Sequence, residues 1–309
     1  MNVLLYAAMT TIWGASFFFT AIALDGFSPY MIVLIRTALA AAVLAVFLRT
    51  RRRRLPSSRR ELLHLLVLGA FNIALPFTLL TAAQEHVSSS TTVVLSATTP
   101  VFVFLMAVLA ARTERFDALR LGGMVVAFAG IGLLSGPGQA DGEGNWQWQL
   151  VVVASSMIFA CGNVYTKRFL SQLAPSVIAC GQFAAGALVL LPVTAATGHL
   201  TVDRPGPLPI LALLELGLLG SAAGYLLYFR FIMLWGSTAA SVNTYFQPIV
   251  GLLLGVLVLG EQMAGAQWAA LGVTLLGLLL FGYATVRASR AGPGRPAAVR
   301  DRPVPARLP

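Results

Sequence analysis

Two ionisable side chains interrupt otherwise apolar segments, and they are the first candidates for chemistry. Arg36 lies about a third of the way along one apolar segment, and Glu215 lies early in another. A charge is costly in hydrocarbon, so each is a functional hypothesis. Arg36 could attract the carboxylate of a small molecule, or it could bond to helix carbonyls and snorkel to the membrane surface. Glu215 could exchange protons across the membrane, or it could face the outer headgroups.

Uncharged polar groups suit a path for a metabolite better than charges do, and the third, fourth, eighth and ninth apolar segments also carry prolines that loosen backbone bonding. Backbone breaks inside a membrane are tolerated where neighbouring helices or a water-lined cavity satisfy the freed groups. Trp13 could line such a path through its ring or simply pack. Together with Arg36, the candidates for the path are Trp13, Asn72, Pro76, Gln182, Tyr225, Tyr228, Asn243, Tyr245 and Gln247.

Motifs for nucleotide, metal or covalent chemistry are missing from the sequence. It contains no GxxxxGK[ST] loop for a nucleotide phosphate and no HExxH pair for zinc. Cys161 and Cys180 both fall in apolar segments and are predicted to be small buried hydrophobic residues. We therefore predict no catalytic residue, no metal site, no cofactor and no use of ATP.

The composition requires a membrane. Hydrophobic residues make up 58% of the chain and charged residues 10%, whereas a soluble domain carries about 25% charged residues. Each spanning helix needs roughly 20 apolar residues. Ten segments qualify, at about 3–24, 28–48, 62–84, 90–111, 119–135, 147–167, 176–197, 208–234, 238–259 and 265–286. The first is predicted to be a retained helix, not a cleaved signal.

The basic residues alternate between the connecting loops. With a cytoplasmic N-terminus, seven Lys and Arg lie between the second and third segments and three between the fourth and fifth. Two more follow the sixth, and six lie in the tail, which makes eighteen of the 21; the outer loops hold only Arg204. The positive-inside rule places both termini in the cytoplasm and explains the net charge of +10 without nucleic-acid binding. Residues 287–309, rich in Pro and Arg, are predicted to be a disordered basic tail.

The two halves of the chain resemble each other. At an offset of 146, SPYMIVLIRTALAAAVL matches APSVIACGQFAAGALVL, and Arg36 aligns with Gln182. Further along, matching positions are held by Pro100 and Pro248, Glu114 and Glu261, and Gly130 and Gly277. Five helices in each half is an odd number, so the second half must enter the membrane in the opposite sense. Inverted repeats are typical of secondary transporters.

The chain also resembles the EamA-like branch of the drug/metabolite transporter superfamily over nearly all of residues 3–284. The matching residues are Trp13-Gly14-Ala15-Ser16-Phe17, Arg36, Pro100, Tyr225, Pro248 and Leu259-Gly260-Glu261. The first half departs from the pattern with AARTE where the second has an LGE segment, and Ala270 stands opposite Gly123. The resemblance implies ten helices in two inverted five-helix repeats, at 1–135 and 147–286. It further implies export of amino acids, other metabolites or lipophilic toxic compounds.

We therefore expect an all-α, multi-pass secondary transporter in the cytoplasmic membrane, and not an enzyme. Export of an amino acid or a similar metabolite by alternating access is the main hypothesis, and efflux of lipophilic drugs is the alternative. An integral membrane enzyme on lipid phosphates would need clustered acids, bases or metal ligands, and the sequence has three histidines and few embedded carboxylates. A receptor or structural subunit is not favoured either, because the sequence shows no soluble sensory domain. The expected partners are a small-molecule substrate and the lipid bilayer, and a homodimer is left open.

Overall fold

Helices occupy most of the chain. The structure is a computed structural model that describes residues 2–109, 117–134, 145–200, 205–228, 230, 231, 234 and 242–290. The helices are α1 (Asn2–Leu24), α2 (Pro29–Thr50), α3 (Arg59–Ala83), α4 (Ser89–Ser96, continuing as Thr99–Leu109), α5 (Ala118–Leu134), α6 (Trp146–Phe169), α7 (Pro175–Ala196), α8 (Pro207–Tyr228), α9 (a 3-10 turn at Val242–Tyr245, then Gln247–Leu257) and α10 (Gly265–Arg290).

Eight of the helices in the described residues are long and apolar enough to cross a membrane. The two shorter ones are α5 and the α-helical part of α9, so for these two the predicted span stays a prediction. Helix α10 continues to Arg290, past the predicted end at 286. Most of the predicted disordered tail, 291–309, lies outside the described residues.

The surface of the molecule is unusually apolar, and some buried positions are polar. Large apolar side chains such as Leu188 and Leu257 are exposed at 68% and 75%, whereas Thr37 and Thr194 are completely buried. Buried hydroxyls on helices return a hydrogen bond to their own backbone, as Thr37 does to the Val33 carbonyl at 2.7 Å. A surface with so many large exposed apolar side chains is stable in hydrocarbon and not in water. The chain is a multi-pass membrane protein.

Two long helices contain π-helical segments. Helix α3 is π-helical over Gly69–Ala74 and α8 over Leu216–Ala223, so the two segments begin 147 positions apart. A π-segment adds a residue to the turn, leaves part of the hydrogen-bond ladder irregular, and is frequent at functional sites. The sequence predicted a disturbance in α3 from Pro76, but it contained no signal for the π-segment in α8.

Prolines interrupt α4 and α9. Pro100 lies in the first turn of the second part of α4, and Pro248 in the first turn of the α-helical part of α9. A proline lacks the backbone N–H and clashes with the carbonyl four residues before it, so each helix restarts at this point. In α4, the Thr99 hydroxyl donates to the Ser96 carbonyl at 2.8 Å and so satisfies one of the freed acceptors.

Glycines let helices approach closely away from the centre of the molecule. Helices α5 and α10 pack along each other, and a side chain at Gly123 would meet the Phe281 backbone nitrogen at 2.6 Å. Gly130 and Gly277, which the repeat had paired, lie in the same contact, against Thr274 and Ala127. These two helices add no side chain to the central cavity described next. The matched glycines therefore serve packing.

Candidate functional site

The breaks in α3, α4, α8 and α9 surround a cavity of about 210 Å³. Its wall is built from α1, α2, α3, α4, α6, α8 and α9. It combines hydroxyl groups, aromatic rings and a single charged side chain among the described residues. The lining residues are Trp13, Ser16, Phe17, Thr20, Arg36, Phe77, Leu80, Thr81, Gln84, Ser96, Thr99, Ser155, Ser156, Phe159, Gly220, Tyr225, Thr244 and Gln247.

Arg36 is the charged residue of this wall and is only 8% exposed. Its Nε and Nη2 both donate to Ser221 Oγ at 3.2 Å, and its guanidinium carbon lies 4.4 Å from the centre of the Phe77 ring. Nη1 has no hydrogen-bond partner among the described residues. The bonds to Ser221 hold the guanidinium inward, which contradicts snorkelling.

Glu215 provides the counter-charge. It interacts electrostatically with Arg36, yet within the described part of the chain no ion pair joins the two groups inside 4.0 Å. Its Oε2 is buried and has no hydrogen-bond partner among the same residues. Glu215 immediately precedes the π-segment of α8. A buried carboxylate oxygen without a partner is costly.

Trp13 contributes both to the wall and to the packing beside it. Its indole Nε1 donates to the Gly220 carbonyl at 2.9 Å, inside the π-segment of α8. Its ring lies 5.6 Å from that of Tyr225 and 5.3 Å from that of Tyr228. A side chain at Gly224 would collide with the indole. Gly224 therefore makes room for Trp13, whereas Gly220 lies against Ser16.

Asn72, Gln182 and Pro76 lie close to the cavity but outside its lining. Asn72 Nδ2 donates to Gln182 Oε1 at 3.0 Å, and both side chains are buried. A side chain at Gly162 would collide with Asn72. The Pro76 carbonyl, four residues after Asn72, accepts a hydrogen bond from Ser155 Oγ at 2.8 Å. The polar groups predicted on α3 and α7 thus bond to neighbouring helices.

The start of α9 brings one predicted residue into the wall. Gln247 lines the cavity, as does Thr244 from the preceding turn. Asn243 is completely buried beneath them, and its Oδ1 accepts from the Thr244 hydroxyl at 3.2 Å. The side chain of Tyr245 lies outside the described residues.

Several wall residues escaped the sequence analysis. Phe77 and Phe159 lie in contact, with ring centres 5.2 Å apart, and Ser221 orients Arg36. The repeat could have found the two phenylalanines, because Phe159 stands 146 positions after Trp13 and Phe77 stands 148 before Tyr225. The structure thus has an aromatic pair between α6 and α3 and another between α1 and α8.

Some polar and thiol side chains lie outside the lining of the cavity. His64 Nδ1 and the Tyr165 hydroxyl are 2.6 Å apart, while Glu85 is exposed at the end of α3. The prediction of two buried cysteines is correct for Cys180 and wrong for Cys161, which is exposed. An apolar helix surface in a membrane faces lipid, so an apolar surrounding sequence does not imply burial.

A final carboxylate joins the two halves at the edge of the bundle. Glu261, from the LGE segment, accepts hydrogen bonds from the Ser89 backbone nitrogen and hydroxyl at 2.8 and 2.7 Å and from the Ser90 nitrogen at 3.1 Å. Ser89 is the first residue of α4. Glu261 therefore binds the positive end of the α4 dipole.

Comparisons with known proteins agree with this architecture. The sequence model of the EamA-like transporter family matches residues 1–136 and 146–283. The Escherichia coli K12 protein "Uncharacterized inner membrane transporter YedA" is 28% identical over 276 residues, which are 88% of each chain. The "Probable terminal-alkyne amino-acid exporter" of Streptantibioticus cattleyicolor is 26% identical over 285 residues, 92% of this chain and 94% of that one. A solved crystal structure with 18% identity covers 94% of this chain and 98% of its own, with a TM-score of 0.65, and so shares the fold.

Proposed function

This chain belongs to the EamA-like transporter family, and we propose that it exports a small metabolite bearing a carboxylate, such as an amino acid, across the cytoplasmic membrane. The observation that carries the proposal is Arg36, the one charged residue in the wall of the cavity within the described residues. A desolvated cation is stabilised by an anion. Its two bonds to Ser221 fix the guanidinium so that Nη1 is available to the carboxylate.

The size of the cavity favours a metabolite over a drug. Pockets that enclose drug-sized molecules measure about 300–1,000 Å³, whereas this one measures about 210 Å³. Its rings, from Trp13, Phe77, Phe159 and Tyr225, suit an apolar side chain beside the carboxylate. The relative named a probable amino-acid exporter supports this choice. Efflux of lipophilic drugs is therefore the second candidate.

The mechanism that we propose is alternating access between two inverted five-helix repeats, at 1–135 and 147–286, with ten spanning helices. Support comes from contacts that recur at matching positions. Arg36 of α2 bonds to the π-segment of α8, and Gln182 of α7, its counterpart, bonds to the π-segment of α3 through Asn72. Two similar bundles that meet through such contacts can rock about the cavity between them.

The proposed orientation, with both termini in the cytoplasm, gives the cavity a direction. The aromatic packing of Tyr6 on Phe231, at 5.1 Å between ring centres, lies where α1 begins and the α8 segment ends, and this end is then cytoplasmic. Thr20 and Gln84 extend the wall toward the opposite ends of α1 and α3. In this orientation the cavity extends toward the outer face.

We also propose that Glu215 exchanges protons. It lies in the first half of α8, and its buried Oε2 has no partner among the described residues. Arg36, facing it from α2, is the charged group that acts on it, and α1 presents the uncharged Ser16 on that side. Vesicles containing the protein should transport faster when a pH gradient is imposed. Transport that is indifferent to the gradient would remove proton coupling.

The first test is a comparison of culture media. Cells that express the wild-type chain, Arg36→Ala, Arg36→Lys or Arg287→Ala are grown at matched membrane levels, and extracellular metabolites are profiled over time. Arg287 is exposed at the end of α10 and controls for loss of a cation. One class of carboxylate should accumulate with wild type and with Arg287→Ala. Both Arg36 variants should export at least tenfold less, because a lysine lacks the planar fork that Ser221 fixes.

Two outcomes would overturn this function. Normal export by Arg36→Lys and Arg36→Ala would remove Arg36 from the site. No difference in any metabolite between wild-type cells and cells without the protein, with the protein verified in the membrane, would favour drug efflux. A dye-efflux assay on the same strains would then be the next measurement.

A further inference from the structure

Arginines are concentrated where α2 ends and α3 begins. All seven are exposed, and they are Arg49, Arg51, Arg52, Arg53, Arg54, Arg59 and Arg60. The one acidic residue in the same stretch, residues 49–61, is Glu61. Within the described part of the chain, no carboxylate comes within 4.0 Å of any of the seven guanidinium groups. This end of the molecule therefore carries a positive charge that the described residues do not neutralise.

The length of α2 places these arginines at the level of lipid headgroups. Helix α2 has 22 residues, which span about 33 Å at a rise of 1.5 Å per residue, and the hydrocarbon core of a bilayer is about 30 Å thick. Residues 51–58 connect α2 to α3, which is also long and apolar enough to cross a membrane. So short a connection stays close to the bilayer. Val46 on α2, Leu63 on α3 and Leu55 in the connection are all exposed, so apolar side chains adjoin the charge.

Hydrogen bonds hold the connection in one conformation. The Arg53 backbone nitrogen donates to the Leu48 carbonyl at 2.9 Å and the Arg52 nitrogen to the Arg49 carbonyl at 3.0 Å, which closes the end of α2. The Arg53 Nη1 donates to Ser176 Oγ at 3.2 Å, at the start of α7. Arg52 has a φ of 51°, where glycine is usual and other residues are strained. A charged residue at such a position indicates that its side chain has a role there.

We propose that this connection binds phospholipids with an anionic headgroup, such as phosphatidylglycerol, in the leaflet that it contacts. A guanidinium group donates two parallel hydrogen bonds to a phosphate, and basic residues beside a membrane attract anionic lipids. The side chains of Arg51, Arg52 and Arg54 form no hydrogen bond to another side chain in the described residues, so they can reach a headgroup. The acyl chains of the lipid then pack on the exposed apolar residues next to them.

A lipid accounts for more of these observations than the positive-inside rule alone. That rule explains which side of the membrane the arginines occupy, but it does not require an arginine in the strained position 52. A soluble anion would neutralise the charge but would leave Leu55 exposed to water. A phospholipid supplies both an anion and an apolar chain. The lipid site lies apart from the central cavity, and no arginine of the connection lines that cavity.

The test compares two lipids that differ only in the headgroup. Dioleoyl-phosphatidylglycerol or dioleoyl-phosphatidylcholine is titrated into the purified full-length protein in a neutral detergent. Apparent dissociation constants are taken from the rise in melting temperature. At low salt the anionic lipid should bind about tenfold more tightly or better, because each arginine beside a charged headgroup contributes about fivefold. At about 1 M salt the Debye length falls to about 3 Å, and the preference should largely disappear.

Substitutions then locate the site. Arg54→Gln should lower the preference for phosphatidylglycerol about fivefold, and Arg51→Gln in the same chain should lower it further, to about tenfold or more in total. Arg287→Gln is the matched control, because Arg287 is an exposed arginine at the end of α10, which packs mainly against α5. Its preference should equal that of wild type.

A further variant separates lipid binding from stability. Arg52→Gly removes one charge and also relieves the strained backbone. It should lower the preference for phosphatidylglycerol about fivefold, while its melting temperature in phosphatidylcholine stays at or above that of wild type. A variant that folds at least as well and binds the anionic lipid less tightly cannot owe the loss to misfolding.

Three outcomes would overturn the lipid site. The first is equal affinity of wild type for the two lipids, and the second is an equal loss of preference in Arg54→Gln and Arg287→Gln. The third is stabilisation by inorganic phosphate or by a short RNA duplex that matches the stabilisation by phosphatidylglycerol, because the ligand would then be a soluble anion. None of these outcomes bears on transport through the central cavity, which the metabolite profiles test separately.

Discussion

Replacing Glu261 by glutamine should destabilise the contact between the end of α9 and the start of α4. In the structure, Glu261 Oε1 accepts from the Ser89 nitrogen and hydroxyl, and Oε2 accepts from the Ser90 nitrogen. The first backbone N–H groups of a helix have no partner inside it. One carboxylate from a segment 172 positions away therefore satisfies two of them. Glu261 therefore links the segment after α9 to the start of α4, which is distant in the sequence.

The size of the effect follows from the three bonds. Glutamine keeps one acceptor oxygen, so its amide nitrogen must face at least one of the donors on Ser89 or Ser90. A hydrogen bond to a charged group is worth about 1.5–3 kcal/mol, and a charge at a helix N-terminus adds about 0.3–1 kcal/mol. We expect Glu261→Gln to lower the free energy of unfolding by about 2–4 kcal/mol. Glu261→Ala should cost more, because all three bonds are lost.

Thermal denaturation of the purified protein in nanodiscs measures this loss. For a chain of 309 residues, the expected cost of Glu261→Gln corresponds to a fall in Tm of about 3–6 °C. Glu85→Gln is the matched control, since Glu85 is exposed at the end of α3. Its Tm should stay within about one degree of wild type. If Glu261→Gln and Glu261→Ala both melt with the wild type, the three bonds contribute nothing and the reasoning is refuted.

Two more predictions concern the centre of the molecule. Gly224→Ala should displace the Trp13 indole from α8 and reduce transport about tenfold or more. Gly272→Ala, measured in the same vesicle assay, should transport normally, and equal rates for the two variants would contradict a role for the glycine. Asn72→Ala should leave the buried Gln182 amide without its donor and lower the free energy of unfolding by about 1–3 kcal/mol. An unchanged melting temperature would show that Gln182 finds another partner.

The helices could be predicted from sequence because their signals are local. Long apolar segments, prolines at helix starts and serine caps such as Ser28, whose hydroxyl accepts from the Met31 nitrogen at 3.3 Å, fix most boundaries within a few residues. Pro100 and Pro248 also predicted breaks in α4 and α9. The π-segment in α8 could not be predicted, since LGLLGSAA reads as ordinary apolar helix. Its geometry depends on the residues that pack against it.

The cavity was predictable only where a residue type is unusual in a membrane. Arg36, Trp13, Tyr225 and Gln247 all line it. The hydroxyls and phenylalanines of the wall are common in apolar helices, so their type carries little information. A helix that is apolar all round also shows no polar stripe, and its rotation about its own axis cannot be read from the pattern. The prediction therefore missed Phe159, which differs from its lipid-facing neighbours only in direction.

The internal repeat indicates which side of a helix faces the centre of the molecule, and it also explains why the proposed site is asymmetric. If the two halves are related as proposed, a residue known to face the centre in one half identifies its counterpart in the other, as Trp13 identifies Phe159. The charge breaks this equivalence. Arg36 occupies the position in α2 that Gln182 occupies in α7, and Gln182 is already bonded to Asn72. In the proposed site, the anionic end of a substrate then has one place to bind, on the side of the first repeat. If the repeats rock as proposed, an asymmetric ligand keeps this single orientation in both directions.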